Sequence, residues 1–241
     1  MSVQHHVYPS PELAAEACSN QVCARLEEAL SGRSFATLAV SGGTTPRLLF
    51  ERLARAPLPW NSIHLFWVDE RAVPPTDTAS NYRLAEETLI RPARIPRRNV
   101  HRIQAEFKPE SAARRYADEI REFFGLEAGD IPRFDVIQRG MGADGHTASL
   151  FPGEPLIEDR ERIAAAVFVE KLQQWRVTLL PAVLQAASHT VFLVTGEDKA
   201  EAVRMVFKDP YDPMRCPAQM ASHHGRGVTW FLDSAAARLM D

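Results

Sequence analysis

Short apolar runs in this chain stop abruptly at glycine or charge, and a helical period then resumes a few residues later. That alternation restricts the fold more than any other feature of the sequence. "FATLAV" (35–40) ends at "SGGTTP", after which "LLFERLA" repeats with helical spacing. "SIHLFWVDER" (62–71) ends in charge, passes through the polar loop "AVPPTDTAS", and gives way to a helix near Asn81. "NVHRI" (99–103) is a weaker strand pattern, and "PESAARRYADEIREFFG" is a helix with Pro109 at its start and Gly125 past its end. "FDVIQRG" is a strand leading into "GMGADGHTASLFPG" (140–153). "HTVFLVTG" (189–196) precedes the helical "EDKAEAVRMVF", and "GVTWFLD" precedes a terminal helix from Ser234. Near the beginning, Ser10-Pro11 caps a helix whose Val22, Leu26 and Leu30 share a face before Ser31-Gly32 ends it. Strands alternating with helices predict a doubly wound α/β fold, a mostly parallel sheet with helices on both faces, and a single domain over residues 1–241.

In an open parallel sheet, ligands bind beyond the carboxyl ends of the strands. Three strand ends here carry unusual chemistry. Ser41-Gly42-Gly43-Thr44-Thr45 opens a helix, so its N–H groups and hydroxyls can hold an anion; an ordinary capped turn is the competing reading. The stretch has no P-loop lysine and fails the G-x-G-x-x-G pattern, so no dinucleotide cofactor is expected. Asp69-Glu70-Arg71 is either a solvated charge cluster or a set of side chains aimed into the ligand crevice. Asp144-Gly145-His146 carries the strongest signal. A neutral imidazole can take a proton from water while a nearby carboxylate orients it, and the glycine frame favours that role over a structural histidine. Thr147 to Phe151 reads as one helical turn stopped by Pro152-Gly153. Arg176 and Lys199 are isolated cations that either solubilise the surface or close an anion site.

Composition excludes several partners. The formal charge is −3, from 28 basic and 31 acidic residues without long like-charge runs, so no nucleic acid is expected. No window approaches a membrane span and the first residues lack a secretory pattern, which predicts a cytoplasmic protein without a membrane partner. Cys18, Cys23 and Cys216 are an odd number without metal-ligand spacing. The pairs His5-His6 and His223-His224 also lack zinc spacing, so no catalytic metal is expected.

Taken together, "LAVSGGTTPRLLFERL" (38–53), "FWVDERAVPPTDTASNYRLAEETL" (66–89), "DVIQRGMGADGHTASLFPG" (135–153), "RVTLLPAVLQAA" (176–187), "FLVTGEDKAEAV" (192–203) and "TWFLDSAAA" (229–237) resemble the 6-phosphogluconolactonase family, within the wider glucosamine-6-phosphate deaminase and ribose-5-phosphate isomerase-like fold group. The resemblance implies hydrolysis of 6-phospho-D-glucono-1,5-lactone to 6-phosphogluconate, a step of the oxidative pentose phosphate pathway, with no metal or cofactor. It implies His146 as the base, Asp144 as its partner and Arg71 as the cation facing the developing oxyanion. Ser41, Gly42, Gly43 and Thr44 are then a phosphate loop completed by Arg176 and Lys199, with Asp69 also contacting substrate. The expected partner is a phosphosugar lactone, and the expected assembly a monomer or weak homo-oligomer. The related deaminases continue their Asp-Gly-His turn into an Asn-Glu-Pro sequence bearing a catalytic glutamate. "TASLFPG" stands here instead, which favours lactone hydrolysis over ring-opening isomerisation. A sugar-phosphate sensor on this fold is the third reading, and the presence of both Asp144 and His146 argues against it. Gln138-Arg139 departs from the apolar residues usual at that strand end. Arg139 there faces solvent, pairs with a carboxylate, or adds charge beside the site.

Overall fold

A computed structural model describes residues 3–240. Seven strands form one wholly parallel sheet. In chain order they are β1 (Gln4–Tyr8), β2 (Ala36–Val40), β3 (Ile63–Trp67), β5 (Val100–His101), β6 (Val136–Arg139), β9 (His189–Val194) and β10 (Val228–Asp233). Across the sheet they lie β1-β10-β9-β6-β2-β3-β5. The helices are α1 (Pro11–Gly32), α2 (Thr44–Leu53), α3 (Asn81–Ala85), α4 (Pro109–Phe124), α5 (Pro181–Ala186), α6 (Ala200–Lys208) and α7 (Gln219–His224). Three further strands, β4 (Asp69–Arg71), β7 (Ala164–Val169) and β8 (Gln174–Leu179), make a small antiparallel sheet in the order β4-β8-β7.

Alternation along β9 and β10 shows why the large sheet carries helices on both faces. Val191, Leu193 and Phe231 enter the core shared with α1 and α2, while Phe192, Val194, Trp230 and Leu232 enter a second core shared with α6. Both residue sets are buried, so neither face of these strands is left for water. In α1, Ser10 accepts from the Leu13 N–H as N-cap and Pro11 sits in the first turn, as its sequence predicts. Gly125 ends α4 in the left-handed conformation with φ 63°.

Three local expectations need correction. The stretch 62–71 is not one strand: the Val68 N–H donates to Val40 of the large sheet while its carbonyl accepts from Leu179 of the small one, so the chain changes sheets there and Asp69–Arg71 becomes β4. Thr147 to Phe151 is not a helical turn. Ala148 adopts φ 55°, Thr147 and Leu150 form an isolated bridge, and Ser149 is drawn away to bind Asp69 and Thr178. Residues 234–239 form turns rather than a helix. One i to i−4 bond, Ala237 to Asp233, forms at 3.0 Å, and a segment this short cannot repay helix nucleation. Strands β1, β7 and β8 were not legible as strands, although Arg176 lies in β8.

Candidate active site

The cleft opens at the carboxyl ends of β2, β6 and β9, where the large sheet meets β4 and β8, and has a volume of about 250 Å³. One wall is the turn from Ser41 to Thr44. Gly43 caps α2 with φ 121° and α2 has no side-chain cap, so its first N–H groups face the cleft free of protein acceptors among the described residues. Gly42 is required for close approach: a Cβ there would stand 1.9 Å from Asn81 Oδ1. Asn81 in turn donates to the Asp69 carbonyl at 2.8 Å and to its carboxylate at 3.4 Å.

The floor comes from β4 and β8. Asp69 is buried, accepts from Ser149 Oγ at 2.7 Å, and lies 3.9 Å from Arg176. Arg71 donates to the Ala79 carbonyl at 2.6 Å, and in ladder register it pairs with Arg176. The Nε atoms of both arginines are buried without a partner among the described residues, as is Ser41 Oγ. Burial pushes the Arg176 pKa down, the Asp69 carboxylate opposes that shift, and Arg71 adds to it. Between Asp69 and Arg71, Glu70 turns away from the cleft. Its carboxylate accepts from the N–H groups of Asn81, Tyr82 and Arg71 and from Ser80 Oγ, fixing the start of α3; burial nevertheless raises its pKa.

The third wall is the loop after β6, and it answers why one histidine stands in so tight a frame of glycine. A Cβ on Gly142 would fall 2.1 Å from His146 Nδ1 and 2.7 Å from Asp144 Oδ1, so the imidazole fills the space that a side chain would take. Gly145, at φ 80°, makes the turn that brings Asp144 back onto the ring. His146 Nδ1 lies 2.5 Å from Asp144 Oδ1, and the ring stacks on Phe151 with centroids 4.0 Å apart. With Nδ1–H donated to the carboxylate, the neutral ring carries its lone pair on Nε2. The side chain is 26% exposed. Burial pushes its pKa down to about 4, with Asp69 opposing and Arg176, Lys199 and Arg71 adding to the depression. The imidazole is therefore neutral, and competent as a base, throughout the physiological range.

Lys199, next to the start of α6, closes the rim and pairs with Asp198 at 3.0 Å. The structure thus places Ser41, Gly42, Gly43, Thr44, Asp69 and Arg71 in one cleft, together with His146, Arg176 and Lys199. Asp144 stands behind the imidazole rather than on the cleft surface. Sequence reasoning missed four contributors. Asn81 props Asp69 and meets Gly42, Ser149 holds Asp69, Phe151 backs the imidazole, and Lys171 in the β7–β8 turn donates to Asp144 Oδ2. Asn81, Ser149 and Phe151 lie within stretches that carry the family resemblance, without a role assigned to them there; nothing in the residues around Lys171 points across 27 positions to Asp144. Among the described residues no three His, Cys, Asp or Glu side chains converge as metal ligands, and the three cysteines are free. No helix among them is long and apolar enough to cross a membrane.

Comparison with known proteins places this geometry. Residues 9–230 match the family model described as glucosamine-6-phosphate isomerases/6-phosphogluconolactonase. The chain is similar to the 6-phosphogluconolactonase of Synechocystis, at 38% identity over 98% of both chains, and to that of Homo sapiens, at 36% identity over 97% of this chain and 92% of the other. Among solved structures it is similar to 6-phosphogluconolactonase from Trypanosoma brucei, with TM-score 0.87, 26% identity, and coverage of 100% of this chain and 99% of that one. A monomeric glucosamine-6-phosphate deaminase superposes with TM-score 0.84 at 18% identity over 98% and 100% of the two chains, a likeness of fold alone.

Proposed function

This chain belongs to the glucosamine-6-phosphate isomerase/6-phosphogluconolactonase family, and from that premise we propose that it hydrolyses 6-phospho-D-glucono-1,5-lactone to 6-phosphogluconate by general-base activation of water at His146. Lactone hydrolysis is the activity named for its full-length relatives. The observation that carries the mechanism is the pair at 2.5 Å, Asp144 Oδ1 and His146 Nδ1, which leaves Nε2 as the basic atom of a ring lining the cleft.

The phosphate sits at the uncapped start of α2, against the N–H groups of Gly42, Gly43 and Thr44 and the Ser41 hydroxyl. Lys199 and Arg176 supply the charge that a dianion requires. That anchor presents C1 to the far side of the cleft. Water attacks C1 as Nε2 of His146 takes its proton, and Asp144 stabilises the imidazolium. Negative charge on the former carbonyl oxygen develops facing Arg71, whose buried Nε has no competing partner among the described residues. Collapse breaks the bond from C1 to the ring oxygen, and the imidazolium returns its proton to that oxygen. The products are a carboxylic acid, which ionises by releasing its proton to solvent, and a free 5-hydroxyl. Asp69, held by Ser149 and Asn81, accepts from sugar hydroxyls and orients Arg176.

The chain between His146 and Pro152 contains no glutamate, which the isomerase and deaminase reading requires. Freshly generated 6-phosphogluconolactone should disappear faster than its spontaneous hydrolysis when the protein is added, whereas glucosamine-6-phosphate should release no ammonia. His146→Ala should lower turnover far more than it weakens phosphosugar binding. Equal losses in both would make His146 structural.

A further inference from the structure

The end of β6 carries two polar side chains that the mechanism above does not use. Gln138 and Arg139 are both fully buried, on opposite faces of the central strand of the large sheet. We infer that they are the positioning residues of the two functional loops, Gln138 holding the turn at 41–44 that takes the phosphate and Arg139 closing the loop at 140–147 that carries His146. This inference rests on the lactonase reading above.

Gln138 acts where the sheet parts. Strands β2 and β6 are paired only at Leu38 with Val136 and Ala39 with Ile137. Two residues further, the Ser41 N–H finds its acceptor in Gln138 Oε1 at 3.1 Å, so a side-chain carboxamide continues a ladder that the backbones no longer form. That contact fixes the first residue of the anion turn. Nothing else among the described residues accepts from Ser41 N–H, and Ser41 Oγ is left unpartnered toward the cleft.

Arg139 acts on the other loop. Its Nε donates to Thr147 Oγ1 at 3.1 Å, and the same hydroxyl donates to the Gly140 carbonyl at 3.0 Å. Residues 140 and 147 are the two ends of the catalytic loop, so Thr147 is the clasp and Arg139 is what holds it. Further inside, the Gly142 N–H donates to the His146 carbonyl at 2.9 Å and completes the closure. The guanidinium is otherwise poorly served. Both terminal nitrogens lack a partner among the described residues, and the Phe192 ring, 5.0 Å from the guanidinium carbon, is its main compensation. Burial of this group depresses its pKa.

An apolar pair would fill these positions at lower cost, because a buried amide and a buried cation with unmade hydrogen bonds are both destabilising. A purely structural role therefore predicts improvement on replacement, while a positioning role predicts separable kinetic defects. Gln138→Leu should raise KM for the lactone about tenfold and leave kcat within about twofold, as expected for one hydrogen bond lost from the anion site. Arg139→Met should lower kcat about tenfold or more with KM nearly constant, since the base and not the anchor is displaced. Its melting temperature should stay level or rise.

Thr147→Val should repeat the Arg139→Met pattern, and Thr147→Ser, which keeps the hydroxyl, should recover most of the turnover. If Arg139→Met fails to fold, the Thr147 pair decides that arm; Gln138→Asn, whose shorter amide withdraws from Ser41, does the same for the other. Kinetic constants that move together in both variants, or wild-type kinetics in both, overturn the inference. His146→Ala runs beside them in the same assay. If it retains turnover, the reading of the reaction is at fault; if it loses turnover while the Gln138 and Arg139 variants behave as wild type, only the positioning roles are.

Discussion

Arg71 and Arg176 face one another across the β4–β8 ladder, two guanidinium groups on the same side of neighbouring strands at the floor of the cleft. Like charges at directly opposed positions are destabilising, and Asp69, 3.9 Å from Arg176, is the counter-charge at hand. In the proposed function a further anion, the substrate, supplies the rest of the counter-charge. Inorganic phosphate at about one hundred times its Kd should therefore stabilise the protein by about 2.7 kcal/mol. A melting series in phosphate, matched in ionic strength with chloride, reads this directly. Lys199→Gln and Arg176→Gln should each shrink the phosphate-dependent shift and mainly raise KM, because contacts to the phosphate persist from ground to transition state. A shift that survives both substitutions in full would move the phosphate away from these cations.

Gly142→Ala tests the loop without touching a functional side chain. A Cβ at that position would fall 2.1 Å from His146 Nδ1, so the imidazole must leave its place against Asp144. Turnover should fall at least about a hundredfold, in the range expected when a positioned proton-transfer group is lost. Gly142 is buried but lines the cleft, and the atoms a Cβ would meet belong to His146 and Asp144 rather than to the apolar core, so circular dichroism should show the native fold retained. Near-normal kcat in the alanine variant would show that the ring tolerates displacement and is not the base.

The residues explain which parts of this arrangement were legible beforehand. Strands such as Ala36–Val40 are buried on both faces and read as unbroken apolar runs, and the glycines at 42, 142 and 145 announce themselves because little else tolerates their space or backbone angles. The small sheet was not legible. Strand β8 runs Gln174–Leu179 with a polar start, and β4 is three residues long, so neither gives a periodic signal of its own. Their pairing is decided by Val68 switching partners from Val40 to Leu179, a tertiary event with no local mark. Asn81 was equally silent. It was expected only as the start of a helix, while its carboxamide donates to Asp69 and packs close against Gly42. Local chemistry named the residues of the loops, and long-range pairing chose their neighbours.

Asp135 offers a test of the base of the sheet, far in character from the cleft. Its buried carboxylate accepts from the Thr37 N–H and Thr37 Oγ1, each at 2.9 Å, and from Arg33, tying the first residues of β2 to the start of β6. Asp135→Ala leaves the Thr37 donors buried and unmet and should cost about 3 kcal/mol, the scale for losing hydrogen bonds to a charged acceptor. Urea denaturation checks the value. The kinetic constants of the folded fraction should be those of the wild type, and a change in stability below about 0.5 kcal/mol, the level of an ordinary surface substitution, would contradict this account.

Under the proposed mechanism His146 governs the acid limb of activity, and its ionisation contributes to the pH dependence of stability. Its pKa in the folded protein is pushed down to about 4, chiefly by burial, so the free enzyme should hold a neutral base well below pH 6.5. Histidine resonances followed by NMR should show this ring titrating near 4. A midpoint at or above 6.5 would remove the enclosed base from the mechanism. The sign for stability follows from proton counts. Between about 6.5 and 4 the unfolded chain binds a proton that the folded ring refuses, so stability is fully present above the unfolded value and is lost as pH falls through that window. His64, also pushed down to about 4 by burial and by neighbouring His101, contributes in the same direction. Replacing His146 with glutamine should therefore flatten the pH dependence of unfolding between 6.5 and 4 without abolishing it, while His146→Gln and His64→Gln together should flatten it further. The phosphate group has its own ionisation near pH 6, which alters substrate binding in the same interval. The acid limb of catalysis is for that reason read from kcat at saturating lactone, which reports the ionisation of the enzyme–substrate complex, and is set against the NMR midpoint of the ring in saturating inorganic phosphate; loss of activity well above that midpoint would assign the essential base to another group.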